Sequence, residues 1–195
     1  MKFYRWVCSN DGLYEIGDTF EYGVVNSQYY ERTRDNSKSF INSSTGKRVT
    51  FIDFEKNIKS KVSLDIAAQV EKIKKKEESN LEREIIFERV RRDCYNEKPS
   101  RMRCAFACSS EAIALMWKSD LSLGDATYVQ LVELEAVGDV NFVECDDQYL
   151  YTNESMNSSE IEKMAHKYWS GKGNKRKEFL LEGRFRITRI IKHNQ

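Results

Sequence analysis

Three groups of residues in the sequence have types that suit chemistry on a nucleotide. Glu178 precedes a short apolar run, so we expect its carboxylate at the rim of a buried strand. Arg5 lies inside the apolar, β-prone segment 2–8, where an arginine either occupies a sheet edge or faces an anion. Ser109 and Ser110 stand between a strand of small residues and a helix, where hydroxyls and backbone N–H groups converge.

This combination suits cleavage of the N-glycosidic bond of NAD. The reaction develops an oxocarbenium-like charge on the ribose, which a carboxylate bound to the ribose 2-hydroxyl stabilises. We assign that role to Glu178. The guanidinium of Arg5 suits the diphosphate or its ribose, with Tyr4 beside it in the same site. The serines would orient the nicotinamide side.

Two further tyrosines are candidates for stacking on a ring of the ligand. Tyr29 and Tyr30 form the aromatic pair of a polar segment, 26–48, which the sequence predicts to be a long loop. Each candidate also has an ordinary structural explanation. A solvated strand end explains Glu178, helix capping explains the serines, and anchoring of the loop explains the tyrosines.

Composition restricts the class of protein. The chain has 195 residues, 40% of them hydrophobic, and a formal net charge of +1, which fits one globular domain. Five scattered cysteines favour reduced thiols in the cytoplasm, and we expect neither a signal peptide, a membrane span nor a metal site. The sequence contains no P-loop, no HExxH and no serine nucleophile elbow.

The elements that must position these residues follow from the apolar pattern. A helical pattern over 63–93 includes Ser79 and Glu82 at capping-box spacing, which predicts one broken helix or two. Ser159 and Glu162 have the same spacing at the start of a later helix. The C-terminal segment predicts a hairpin that turns at Glu182-Gly183. The other predicted elements are strands at 2–8, 102–108, 127–136 and 140–144, and the later helix at about 159–169.

Several segments resemble the motifs of mono-ADP-ribosyltransferases. The segment KEFLLEGRFRI is similar to the strand that carries the family's catalytic glutamate, which corresponds here to Glu178. FYRWV is similar to the first strand, with Arg5 as its arginine, and CAFACSSEA is similar to the family's second motif, a strand then a helix, with Ser109 and Ser110 just after the strand. More widely, the order of motifs resembles a bacterial domain family of unknown function grouped with the ADP-ribosyltransferase-like proteins.

The resemblance implies a fold and a function for the whole chain. We expect a single α+β domain over 1–195, with a split antiparallel β core, flanking helices and a helical insertion at about 55–98. It implies an NAD-dependent transferase, a toxin or phage-defence effector in the cytoplasm that modifies a macromolecule and has an antitoxin as a possible partner. Arg176 stands where related toxins carry a second glutamate.

Basic residues near Glu178 lead us to favour nucleic acid, including RNA, as the acceptor. Of these, Lys175 and Arg176 directly precede the predicted strand. Two alternatives stay open. One is a non-enzymatic, antitoxin-like module that binds nucleic acid or protein, and the other is an enzyme that transfers a 2-phosphate from RNA to NAD.

Overall fold

The computed structural model describes residues 1–118, 127–153, 155–173 and 177–194. Within them the chain folds into α and β elements, joined by a π-helical turn and two 3-10 turns. In chain order the elements are β1 (Lys2–Ser9), β2 (Thr19–Tyr22), α1 (Gln28–Asn36), β3 (Ser39–Ile41), β4 (Arg48–Thr50), α2 (Phe51–Asp53), α3 (Leu64–Cys94), β5 (Ala105–Ala107), α4 (Glu111–Trp117), β6 (Tyr128–Ala136), β7 (Asn141–Asp146), α5 (Ser158–Trp169) and β8 (Lys177–Asn194).

The long strand β8 is shared by two groups of strands. Its C-terminal part pairs with β6 and β2, and β6 pairs with β1, which gives the order β1-β6-β8-β2. Its N-terminal part pairs with β5 on one side and β7 on the other. All of these pairs are antiparallel, and β3 and β4 form a separate small hairpin. The predicted α+β class with an antiparallel core is confirmed.

The predicted hairpin at the C-terminus is wrong, because β8 is one continuous strand. Gly183 has a φ of +109°, in the region that favours glycine, yet the strand runs on through it. A side chain at this position would approach Val140 to 3.1 Å and the Asp139 carbonyl to 3.3 Å. The glycine therefore marks the point where β8 changes its partners, β5 and β7 before it and β2 and β6 after it.

The segment 26–48 is not a long loop. It contains α1 and most of the β3–β4 hairpin, and Ser27 caps α1 by accepting a hydrogen bond from the Tyr30 amide. The low apolar content of α1 hid this helix, since little periodicity can be seen in a segment of that composition. The cap of α5 also differs from the prediction, because Asn157 and Glu160 form the capping box.

The helical pattern over 63–93 forms a single helix, α3, with Ser63 as its N-cap. The helix packs against α5, and its C-terminal half buries Ile86, Phe87 and Val90. Together with the short helical turns that precede it, α3 occupies most of the predicted helical insertion at about 55–98. Within the described ranges, no helix is both long and apolar enough to cross a membrane.

Two large apolar clusters hold the strands and helices together. One contains side chains of β1, β5, β6 and β8, including Phe3, Leu134 and Phe185. The other lies between α3, α5 and the N-terminal part of β8, where Leu180 is fully buried. Because alternate side chains of β8 enter different clusters, its start is covered on both faces.

The core position Leu134 gives a direct test of this packing. Leu134→Ala removes a fully buried side chain between neighbouring strands and should lower the free energy of unfolding by about 2–5 kcal/mol. Leu64→Ala is the matched control, because Leu64 is 89% exposed and its loss should change stability by less than about 0.5 kcal/mol. Urea denaturation followed by circular dichroism measures both, and equal losses would contradict the described core.

Candidate functional site

A cleft of about 530 Å³ opens beside the junction of the two groups of strands. Residues of β1, β2, α1 and β5 line it. Backbone hydrogen bonds in both directions between Tyr4 and Cys108 hold β1 next to the end of β5. This volume falls within the range of about 300–1,000 Å³ that is usual for small-molecule sites.

The charge lining the cleft favours an anion. Arg5, Arg32 and Arg103 line it, and Glu21 is the one carboxylate among the described lining residues. Guanidinium groups bind phosphate and carboxylate oxygens through paired hydrogen bonds, so this wall suits an oxyanion ligand.

Arg5 is held on the wall by its neighbours. Its Nη1 donates to the Phe106 carbonyl at 2.5 Å, and its guanidinium carbon lies 5.5 Å from the centroid of the Tyr22 ring. These contacts fix the direction of the side chain and leave its charge uncompensated by any hydrogen-bonded carboxylate among the described residues. The predicted anion-binding arginine is therefore part of a real cleft.

Aromatic rings form the rest of the wall. The Tyr29 ring lies edge-on to the Phe106 ring, with 5.2 Å between centroids, and Tyr22 stacks on Phe20 at 5.9 Å. Flat rings of this kind bind planar, partly apolar ligands. A ligand that combines an oxyanion with an aromatic ring matches the chemistry of the cleft.

Glu178 lies behind this wall and is 5% exposed. Its Oε1 accepts one hydrogen bond from Arg101 Nη1 at 2.6 Å and another from the Tyr168 hydroxyl at 2.5 Å. Burial raises the pKa of Tyr168 well above its ordinary value, so the phenol stays protonated and donates. Glu178 does not line the cleft.

Cys104 is a buried residue on the wall of the cleft. Burial raises the pKa of its thiol. Among the charges that act on the thiol, Arg101 lowers this pKa, Glu178 raises it and Arg5 lowers it.

The carboxylate belongs to a buried ion cluster that joins α3 to β8. Glu84 accepts from Arg101 Nε at 3.1 Å, from Arg83 Nη2 at 3.0 Å and from the Tyr29 hydroxyl at 2.9 Å. Burial alone would raise the pKa of Glu84, but Arg101 and Arg83 outweigh it and hold that pKa at about 2. Two carboxylates and two guanidinium groups balance in charge, as burial requires.

The structure brings three of the predicted site residues together and separates the others. Tyr4, Arg5 and Tyr29 line the cleft. Ser110 is the N-cap of α4 and accepts from the Ile113 amide, while Ser109 is exposed. Neither serine lines the cleft, and the same holds for Tyr30. Lys175 and Arg176 lie outside the described residues.

Sequence reasoning missed the arginines and the glutamate that complete the site. Arg32 and Arg103 line the cleft, and Arg101 and Glu84 form the ion cluster behind it. One signal was available in advance. Glu84 stands three residues before Phe87, on the face of α3 that is buried, and a carboxylate on such a face needs a cationic partner.

Comparison with known proteins gives a family without an assigned activity. Residues 4–193 match the family model described as "Protein of unknown function (DUF2441)". Comparison with curated proteins found no match. The expected likeness to a family of unknown function is confirmed, while the likeness to ADP-ribosyltransferases rests on the motifs described above.

The low pKa of Glu84 predicts a loss of stability in acid. In the unfolded chain this carboxyl has a pKa of 4.5, against about 2 in the fold, so its ion pairs stabilise the protein fully above pH 4.5. That contribution, about 3 kcal/mol, is lost as the pH falls from 4.5 through 2. Urea unfolding at pH 5.5 and pH 3 measures the part of this loss that falls above pH 3, about 2 kcal/mol.

Glu84→Gln is the variant that isolates this group. Its stability should fall less between the two pH values than that of the wild type, because one titrating carboxyl has been removed. The exposed Glu135→Gln is the control and should retain the wild-type difference. An identical pH dependence for Glu84→Gln and the wild type would contradict the assignment.

Proposed function

Because the chain belongs to the DUF2441 family, whose description names no activity, we propose its function from the site itself. We propose that it is an NAD-dependent mono-ADP-ribosyltransferase, with NAD in the cleft beside Arg5 and with Glu178 as the catalytic carboxylate. The observation that carries the proposal is the juxtaposition of an arginine-lined, aromatic cleft with a buried carboxylate at the start of β8.

NAD has the two chemical features for which the cleft is suited. Its diphosphate would pair with Arg5 and Arg103, and its rings would contact Tyr22, Tyr29 or Phe106. The sequence motifs around Arg5 and Glu178 support the same ligand, because they resemble those of enzymes that cleave NAD.

The proposed reaction breaks the bond between the nicotinamide nitrogen and the ribose. Nicotinamide leaves with the bonding electron pair, and positive charge develops on the ribose. Glu178 accepts a hydrogen bond from the ribose 2-hydroxyl and stabilises that charge. A nucleophile of the acceptor then bonds to the ribose carbon and releases its proton to solvent.

Arg101 and Tyr168 would hold the catalytic carboxylate in this mechanism. Both contact Oε1 of Glu178, so the proposal assigns Oε2 to the ribose hydroxyl. Because Glu178 is buried and does not line the cleft, side chains of the cleft wall must shift for the two to meet.

As acceptor we propose a nucleic acid, RNA included, because the sequence just before β8 is basic. A protein with this activity would act as a toxin or phage-defence effector, and an antitoxin would be its partner. Arrest of growth on expression, relieved by Glu178→Gln, is the cellular result that supports this role.

Transfer of labelled ADP-ribose tests the enzymatic proposal. Wild-type protein with labelled NAD and cell lysate should give labelled macromolecules, and Glu178→Gln should reduce transfer by about a hundredfold or more. Loss of the label on nuclease treatment identifies nucleic acid as the acceptor, and loss on protease treatment identifies protein. Glu135→Gln, exposed on β6, is the control for removing a carboxylate. Equal transfer by Glu178→Gln and the wild type would refute the catalytic role.

Binding of NAD tests the assignment of the cleft. Arg5→Ala removes charge-assisted hydrogen bonds and should raise the Kd for NAD by about tenfold to a hundredfold. Arg186→Ala is the control, because Arg186 is 52% exposed on β8 and pairs with the exposed Glu135. Isothermal titration calorimetry measures both affinities, and an unchanged Kd for Arg5→Ala would exclude Arg5 from the site.

One observation favours a second candidate, a binding module without catalysis. Glu178 is 5% exposed and its Oε1 is fully engaged within a charge-balanced cluster, as in a purely structural ion pair. The cleft would then bind an aromatic anion and leave it intact. This candidate predicts NAD or RNA binding that Glu178→Gln leaves unchanged, with no transfer of label by the wild type.

A further inference from the structure

Tyr29 lies between the cleft and the buried ion cluster, and its two ends contact different surroundings. Tyr29 lines the cleft, and its ring packs edge-on against that of Phe106, which is also a lining residue. Its hydroxyl lies inside the protein, where it donates to Glu84 Oε1 at 2.9 Å and accepts from Arg83 Nη2 at 3.1 Å. A ligand in the cleft therefore meets a side chain that is bonded directly to the cluster.

A chain of hydrogen bonds continues from this hydroxyl to Glu178. Glu84 binds Arg101 through Nε at 3.1 Å, and Arg101 Nη1 binds Glu178 Oε1 at 2.6 Å. The Arg101 guanidinium carbon also lies 6.0 Å from the centroid of the Tyr29 ring and 4.9 Å from that of Phe106. The ring of Tyr29 thus lies directly beside the Arg101 guanidinium, and its hydroxyl is connected to the same group through Glu84.

The backbone around Tyr29 is tied to the segment that bears Arg101. The Ser27 amide donates to the Met102 carbonyl at 2.7 Å, and the Gly23 amide donates to the Arg103 carbonyl at 3.1 Å. These two bonds hold the start of α1 against residues 102–103. The backbone that carries Tyr29 is therefore held next to the segment that carries Arg101.

We propose that Tyr29 is a positioning residue that couples occupation of the cleft to the placement of the Glu178 carboxylate, through Glu84 and Arg101. The inference rests on the proposed function for the identity of the ligand, NAD, and for the role of Glu178. Tyr29 itself takes no part in bond making. Its ring is part of the binding wall, and its hydroxyl sets the geometry of the carboxylate.

Tyr29→Phe separates the two roles, since the ring stays and the hydroxyl is lost. The Kd and KM for NAD should stay within about twofold of the wild type, because the ring wall is intact. The kcat for transfer should fall about tenfold, as expected when one hydrogen bond to a charged group is removed. Tyr30→Phe, on the same turn of α1 and outside the cleft lining, is the matched control and should behave as the wild type.

Infrared difference spectroscopy gives a readout that does not depend on activity. The carboxylate band of Glu178 is identified by its loss in Glu178→Gln. Addition of NAD should shift this band in the wild type and in Tyr30→Phe, and the shift should fall to less than half in Tyr29→Phe at saturating NAD. Glu84→Gln breaks the same chain of hydrogen bonds at its next member and should give the same result. It replaces Tyr29→Phe in this test if Tyr29→Phe does not fold.

The outcomes separate this inference from the proposed function. If NAD binds and shifts the band in the wild type, the shift falls in Tyr29→Phe and no label is transferred, the proposed function is overturned and the coupling is supported. If Tyr29→Phe transfers label at the wild-type rate and shows the wild-type band shift, the coupling is overturned and the proposed function still stands. Absence of NAD binding to the wild type overturns both.

Discussion

The buried contact of Arg101 with Glu84 and Glu178 is the interaction on which the arrangement of the site depends. It joins the C-terminal half of α3 to the first residues of β8, so this helix and this strand cannot shift independently. Removing one partner would leave an unpaired buried charge, which costs about 3–5 kcal/mol. Apolar residues of matching volume would stabilise the fold as well as this ion cluster does. The cluster is therefore better explained by a role in fixing how α3 and β8 are placed, or by function.

The second constraint is that β8 belongs to two groups of strands. Its change of partners at Gly183 leaves β1 and β5 side by side with few shared hydrogen bonds, and the cleft opens next to them. Arg5 on β1 and Phe106 on β5 meet there because the Tyr4–Cys108 bridge aligns their strands. The cavity is thus a consequence of the topology of the strands.

Most regular elements could be predicted from apolar periodicity, and the errors share a cause. The strands β1 and β6 are rich in aromatic, β-branched and other apolar residues over eight or more positions, and α3 is a long segment with apolar residues three to four positions apart. The helix α1 was missed because it is short and polar. The turn at Gly183 was wrongly predicted because a glycine inside a strand has the same local sequence signal as a glycine at a strand end. The direction of the chain after Gly183 depends on which strands lie beside it, and local sequence does not contain that information.

The sequence by itself determined the α+β class, the order of its main elements, and three residues of the cleft wall, Tyr4, Arg5 and Tyr29. These follow from side chain type and from local pattern. Only the tertiary structure decided that Arg101 pairs with both Glu84 and Glu178, and that Ser110 serves as a helix cap. The physical reason is that buried charges are paired across distant segments, here 17 and 77 residues apart, and no local pattern specifies such a partner.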